Sequence, residues 1–450
     1  MGYRLLIPVV ARAVAFIVGA ACLSQLMAQA TLPLNTPRTG LKMGATPLRF
    51  AVELKAEVAY QFMADQNGVD VLMYITAADG QRLAEVDSPN GAHGAELLSW
   101  TSDSRTTCQL VLDSLAGDTG VSGTVGVYAR AMSRSERAAQ RVARAASAAD
   151  DARVVQYADI DHFWATVDAL PSCRHHFDSL MAVQRTFIDV ATDGQAAFLR
   201  DRGLLAEDYI EALRRYPRYF ASIRATTADA RRCETIIQEV FDAFKAIYPG
   251  FSPFKVCFGM GVASTGGTTS RTHVWIGTEL TTTGENTDLS ERGPGYADYH
   301  PKRERIPRTV RTLVAHECVH TQQPARMDST AVPCAQLQQC IEEGAANFIS
   351  ELISGSTNYR VVDEYGQANE QALWKEFLST LCAPDAANWL YNGATAKDRP
   401  ADLGYFIGYR IAKAYYDRAP DKARAISDII GMRDPLRFLV QSGYGSPGNE

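Results

Sequence analysis

The 450-residue sequence predicts an α+β chain, an N-terminal β-sandwich followed by a mainly helical domain. Three observations carry that expectation. Residues 31 to about 130 alternate apolar and polar side chains between turn signals. From Tyr157 onward the apolar spacing becomes helical. The final third keeps that spacing and places two histidines four residues apart.

The first element is a segment for export. Arg4 and Arg12 flank the start, an apolar run covers Ala13 to Leu23, and Ala28-Gln29-Ala30 is a small-x-small cleavage site. Residues 1–30 therefore read as a signal peptide, with the mature chain starting at Thr31. The apolar run is too short to span a bilayer comfortably, and no later segment reaches the ~20 apolar residues that spanning needs. The mature chain is expected to have no transmembrane span and to be periplasmic or extracellular. Cys22 after Gly19-Ala20-Ala21 leaves a lipoprotein as the second reading.

Residues 31–131 read as a β-sandwich. Phe50 to Leu54, Val69 to Ile75 and Thr124 to Tyr128 alternate, and Asn67-Gly68, Asp79-Gly80 and Pro89-Asn90-Gly91 mark turns. His93 stands alone there. Residues 132–152 are rich in Ala, Arg and Ser and lack large apolar side chains, which suits a linker with helical character. The remainder, 153–450, reads as one domain. Helices are expected over Asp161 to Leu170, Phe177 to Asp189, Ala206 to Tyr216 and Asp229 to Tyr248. Strands follow over Phe254 to Phe258 and His273 to Ile276. Ser264 to Ser270 lacks the Gly-Lys-Ser/Thr ending of a phosphate loop and reads as a hairpin connection or the rim of a site. His273 to Ile276 is a candidate edge strand for an extended peptide, with His273 on its surface.

Composition excludes some functions. The chain is 46% hydrophobic and 21% charged with a net charge of -6, so it lacks the basic excess of a nucleic-acid binder. Beyond Cys22 there are eight cysteines, at 108, 173, 233, 257, 318, 334, 340 and 382. That number permits disulfides in an oxidising compartment, and Cys334 and Cys340 lie close enough in sequence for a local bridge. No Cys-x-x-Cys pair occurs, against a cysteine zinc ribbon.

The chemistry concentrates in His316-Glu317-Cys318-Val319-His320. Pro307 stands near the start of this helix and Pro324 closes it. Positions i and i+4 share a helix face, so both imidazoles can reach one cation. Glu317 lies beside that face, placed to polarise a water. Leu313, Val314 and Val319 bury the helix and put its histidines at a core-lined site. A catalytic zinc needs a third protein ligand and an open fourth position. Ile341 to Phe348 offers one in Glu343, with Glu342 as its competitor, after 22 intervening residues. Gly344, Ala345 and Ala346 would let the two helices approach closely, and Asn347 could orient a histidine. Tyr405 and Tyr409 are candidate donors to an oxyanion, Tyr405 the preferred one. His175-His176 cannot share a helix face, and His162 and His300 have no partner pattern.

Residues from about Asp159 onward resemble a bacterial family of predicted zinc-dependent proteases, and more distantly gliding-motility lipoproteins. The stretches that carry the likeness are DIDHFWATVDAL, RYPRYFASIR, STGGTTS, VAHECVHTQQ, EEGAANFISELISG and DRPADLGYFIGYRIAKAYY. The segment GVDVLMYITAADGQRLAEVDSPNGAHG resembles pre-peptidase sandwich domains of exported bacterial proteins. The first resemblance implies a gluzincin-like, zincin-type fold with His316, His320 and Glu343 on Zn2+ and Glu317 as general base. Asn347 departs from the Asp expected at its position. The implied function is an exported zinc metallopeptidase acting on peptides or proteins, its sandwich an accessory that could meet a cell-envelope partner. The alternative is a non-catalytic envelope factor that keeps the fold for structure or partner binding.

Overall fold

The computed structural model describes residues 30–88, 90–115, 123–293, 300–324, 333–357, 359–393 and 395–445. Most of the signal segment, Cys22 included, lies outside them. Two compact units result. The first runs to Val142 and takes in Ser172–Arg185; the second joins Ala143–Pro171 to Thr186–Glu450.

In the first unit two antiparallel-rich sheets form a sandwich. One comprises β1 (Ala30–Thr31), β3 (Leu48–Leu54), β8 (Thr106–Ser114), β5 (Val71–Thr76) and β6 (Arg82–Val86), in that order. The other comprises β2 (Arg38–Met43), β9 (Gly123–Ala131), β4 (Ala59–Asn67) and β7 (His93–Thr101). Alternation explains the register: Phe50, Val52 and Leu54 of β3 point inward while Arg49 and Glu53 do not. They meet Tyr60, Phe62 and Ala64 of β4 and Val125, Val127 and Ala129 of β9 in one core. Helix α3 (His176–Thr186) joins this unit through polar ties. Gln61 Nε2 donates to the Met181 carbonyl, and Tyr128 Oη donates to Asp178.

The boundary between the units falls within α1 (Arg134–Asp151), the stretch expected as a linker. The second unit begins with β10 (Val155–Gln156) and α2 (Ala158–Ala169). After α3 come α4 (Asp193–Arg202), α5 (Ala206–Arg215), α6 (Pro217–Thr227) and α7 (Glu234–Ile247). A small sheet follows from β11 (Lys255–Gly259), β12 (Gly267–Thr269) and β13 (His273–Gly277), ordered β10-β11-β13-β12. β13 is thus interior, parallel to β11, and β12 is the edge strand. This corrects the expectation for His273 to Ile276: all its residues are buried, as core side chains in a central strand must be.

The last part is helical. It consists of α8 (Ile306–Gln322), α9 (Ala335–Ser354), α10 (Arg360–Ala368), α11 (Glu370–Ser379), α12 (Leu403–Arg418), α13 (Lys422–Ile430) and α14 (Pro435–Ser442). α8 packs on α7, β12, β13 and α9, and α9 packs on α12. The α9–α12 contact is backbone on backbone. A Cβ on Gly344 would stand 2.0 Å from Tyr409 N, and one on Gly408 would stand 1.6 Å from Cys340 O. The glycine expected to bring α9 close to α8 therefore serves α12 instead. Cys334 is bonded to Cys382, not to Cys340, which is buried as a free thiol. Cys340 lies on the helix, where its side chain packs beside Gly404 of α12, while Cys334 precedes the helix in a left-handed conformation.

Candidate metal centre

α8 and α9 assemble the centre. α8 is amphipathic: Ile306, Val310, Val314 and Val319 anchor it, so the turn after Val314 brings His316 and Glu317 inside. The two imidazoles project from one face, Nε2 to Nε2 at 3.1 Å. α9 is buried along most of its length, and Glu343 faces them. Its Oε2 lies 3.6 Å from His316 Nε2 and 3.2 Å from His320 Nε2. The three donor atoms lie within 4.8 Å of one another.

These residues fit a zinc ion. Bonds of about 2.0–2.1 Å in a tetrahedron imply donor separations of roughly 3.3–3.4 Å. The observed 3.1, 3.2 and 3.6 Å bracket that edge. Two imidazole nitrogens, which are borderline donors, and one carboxylate oxygen, which is a hard one, make a set of the kind zinc takes.

The electrostatics follow from burial and proximity. Burial opposes ionisation of Glu343, but His320 and His316 outweigh it and hold the carboxyl well below its usual range. Burial alone would lower the pKa of His320; the Glu343 carboxylate reverses this and raises it to about 9. Glu317 is pushed above the usual carboxyl range by burial, with the two histidines pulling it back. Its carboxylate lies against the edge strand, where a Cβ on Gly267 would stand 2.7 Å from Oε1. Gly267 is therefore the residue that leaves room for this side chain.

The surrounding contacts separate the sequence candidates. Glu342 is turned aside: its Oε1 accepts from Gln338 Nε2 and its carbonyl from Gln323 Nε2. Asn347 holds neither imidazole; its hydrogen bond is through the backbone carbonyl, from Ser350. Gln323 takes that part, with Oε1 2.8 Å from His320 Nδ1. Its position three residues after His320 was a local signal that sequence reasoning passed over. His316 Nδ1 is buried without a hydrogen-bond partner. Tyr405 lines the cleft, stacked on Tyr359 at 4.5 Å, its ring centroid 6.1 Å from that of His316. Tyr409 is directed elsewhere and donates to Glu351.

Tyr391 was not foreseen. Its hydroxyl donates to Glu343 Oε1 at 2.6 Å from a left-handed backbone. No motif marks it, because it approaches from 48 residues away in sequence. The other histidines lie outside the centre. His273 is buried, not on the surface as expected, with Nδ1 2.8 Å from Thr272 Oγ1 and Nε2 3.0 Å from Asp193. His162 neighbours Asp159, and His175 packs edge-on against Tyr128. Among the described residues His316, His320 and Glu343 form the one cluster of this kind. They floor a cleft of about 870 Å³ bounded by Gly266 to Thr269 on one side and Tyr359, Tyr391 and Tyr405 on another.

Residues 280–429 match the model of a family described as predicted Zn-dependent protease (DUF2268). That stretch contains α8 and α9 and all three donors. No curated protein matches the chain. Among solved structures, the chain is similar to the pre-peptidase C-terminal domain of a collagenase from Bacillus anthracis. The identity is 13%, over 23% of this chain and 95% of that one, with a TM-score of 0.19. It is also similar to IMPa from Pseudomonas aeruginosa, solved with an O-glycopeptide, at 10% identity over 92% of this chain and a TM-score of 0.19. The match spans 45% of IMPa. At these scores neither likeness carries fold or function across.

Proposed function

We propose that the region matching the predicted Zn-dependent proteases makes this chain a zinc metallopeptidase, with His316, His320 and Glu343 as ligands and Glu317 as general base. The observation that carries the reading is the meeting of these three donors at tetrahedral spacing with a second buried carboxylate, that of Glu317, beside them. A purely structural zinc site needs no such carboxylate.

Zinc at this donor set would polarise a carbonyl and lower the pKa of a water towards ~7. Glu317 accepts the proton of the attacking water and returns it to the leaving amine. Its upward shift suits that duty, since a base works best with a pKa near the working pH. Tyr405, in the cleft wall above His316, is the proposed donor to the developing oxyanion. Tyr391 and Gln323 hold Glu343 and His320 in place. Residues 31–131 form the accessory sandwich in this reading and 153–450 the catalytic part.

Export belongs to the same proposal. It is supported by the apolar N-terminal run and by the Cys334–Cys382 bridge, which suits an oxidising compartment. No helix among the described residues is long and apolar enough to cross a membrane.

Glu317→Gln tests the proposal against an unbiased peptide mixture. The substitution keeps size and removes the ability to take a proton. Cleavage should fall about 10²–10⁴-fold while zinc stays at one per chain. Equal cleavage by the variant would reject Glu317 as base.

A further inference from the structure

The cleft carries one feature that the chemistry above leaves unused. Arg202, the last residue of α4, lines it beside the edge strand. Its Nη2 donates to Thr268 Oγ1 at 3.1 Å. It is the one arginine or lysine among the described lining residues. Its hydrogen bond goes to a neutral hydroxyl, and among the described residues it forms no ion pair. A guanidinium has five N–H donors in a planar fork, so most of this one remains available. The helix C-terminus favours a cation, which accounts for charge in this turn. It does not account for the aim: Arg200 occupies the same turn and does not line the cleft.

Position makes the charge specific. Thr268 follows Gly267, the residue against which the Glu317 carboxylate rests. Successive side chains of a strand point to opposite faces, so Arg202 on Thr268 and Glu317 against Gly267 meet the cleft from the two faces of the edge strand, on the order of 10 Å apart. Along an extended peptide that distance corresponds to about three residues from the bond being attacked.

We propose that Arg202 is a carboxylate anchor: the preferred peptide carries a carboxylate, as an acidic side chain or as its free C-terminus, within about three residues of the bond cleaved. The inference rests on the peptidase reading, and a binding measurement separates the two. Peptides are prepared in matched pairs, Asp or Glu against Asn or Gln, and free C-terminal acid against amide. Wild type and Arg202→Gln, full-length and zinc-loaded, are compared for cleavage. Binding of the same pairs is titrated with Glu317→Gln, alone and combined with Arg202→Gln.

Wild type should prefer the carboxylate member of one pair type roughly 10- to 100-fold in kcat/KM, the scale of one charge-assisted pair. Arg202→Gln should erase the preference and leave neutral peptides unaffected, and Arg202→Lys should restore part of it. The pair type that responds identifies the source, an acidic side chain or the chain terminus. Cleavage without carboxylate preference overturns the role of Arg202 and keeps the peptidase. Arg202-dependent preference in binding without any cleavage keeps the anchor and overturns the peptidase. Equal losses on neutral and acidic peptides in Arg202→Gln also overturn the anchor, as would binding blind to the carboxylate.

Discussion

The sandwich and the helix pair α8–α9 are both deeply buried, but they fill their interiors with opposite chemistry. In the sandwich the core is hydrocarbon; Asp70 Oδ1 and Trp100 Nε1 are buried without a partner, but its fully buried amide and carboxyl side chains are engaged. Gln61 accepts from Arg185 and Arg130, Gln66 accepts from Val71 N, and Glu96 accepts from Ser88 N. In α8–α9 His316, Glu317, Glu343, Asn347 and Ser350 are all buried, and His316 Nδ1 has no partner. Leaving polar groups in such a place costs free energy. A chain that fills one interior with hydrocarbon and gathers buried ionisable groups against one another in the next is using the second for something other than stability.

Substitutions can break that contrast. The largest effect is expected for His316→Ala, which should abolish stoichiometric zinc, because two remaining ligands rarely hold the ion. Metal analysis of the purified variant decides it. Glu343→Ala should behave likewise and Glu342→Ala should not; the reverse outcome would assign the wrong glutamate.

Next come two stability changes of similar size and different consequence. Leu110→Ala in the sandwich core should cost about 2–5 kcal/mol without changing zinc content in the folded fraction. Gly344→Ala should cost about 3 kcal/mol or more, because the new Cβ meets α12 backbone that cannot rotate away. It should also loosen zinc, since Glu343 is the adjacent residue. Calorimetric melting with and without added zinc distinguishes them: the ion should raise the melting temperature less in Gly344→Ala than in Leu110→Ala.

A smaller effect is expected for Gln323→Leu. Removing the partner of His320 Nδ1 should weaken zinc about 10–100-fold, as measured by competition with a chelator. Unchanged affinity would mean that packing alone orients the ring.

The last is a pH dependence. Without metal, His320 keeps its proton up to about pH 9, beside an ionised Glu343. A histidine raised this way stabilises the fold below about 6.5, its ordinary pKa, and loses that contribution as pH rises through about 9. Zinc must displace the same proton. Binding at pH 7 should therefore release about one proton, and affinity should rise up to tenfold per unit between pH 7 and about 9, then level off. Calorimetry in buffers of different ionisation enthalpy reads the proton directly; zero release would contradict the shift.

What was legible in the sequence is what neighbouring residues encode together. Strand alternation at Phe50 to Leu54, and the i, i+4 spacing of His316 and His320, need no knowledge of distant chain. Glu343 was legible because it sits on the next helix, in an unbroken buried run. Pairings across long separations were not. Cys382 lies 48 residues from Cys334, and proximity in sequence pointed to Cys340 instead. The edge strand was misplaced because three residues, Gly267 to Thr269, are too few to show a period, whereas apolar β13 announces itself. Tyr391 gave no signal because a left-handed tyrosine in a loop follows no pattern.

The Cys334–Cys382 bridge has one more effect. Glu343 lies nine residues beyond Cys334, and Tyr391, whose hydroxyl it accepts, lies nine beyond Cys382. A cut in the chain anywhere between the two cysteines leaves both fragments on one covalent body, with the carboxylate and the phenol still tethered. In the uncut chain, closing a loop of this size also removes about 4 kcal/mol worth of freedom from the unfolded state. A protein stapled in this way can be nicked and keep Glu343 and Tyr391 on one covalent body.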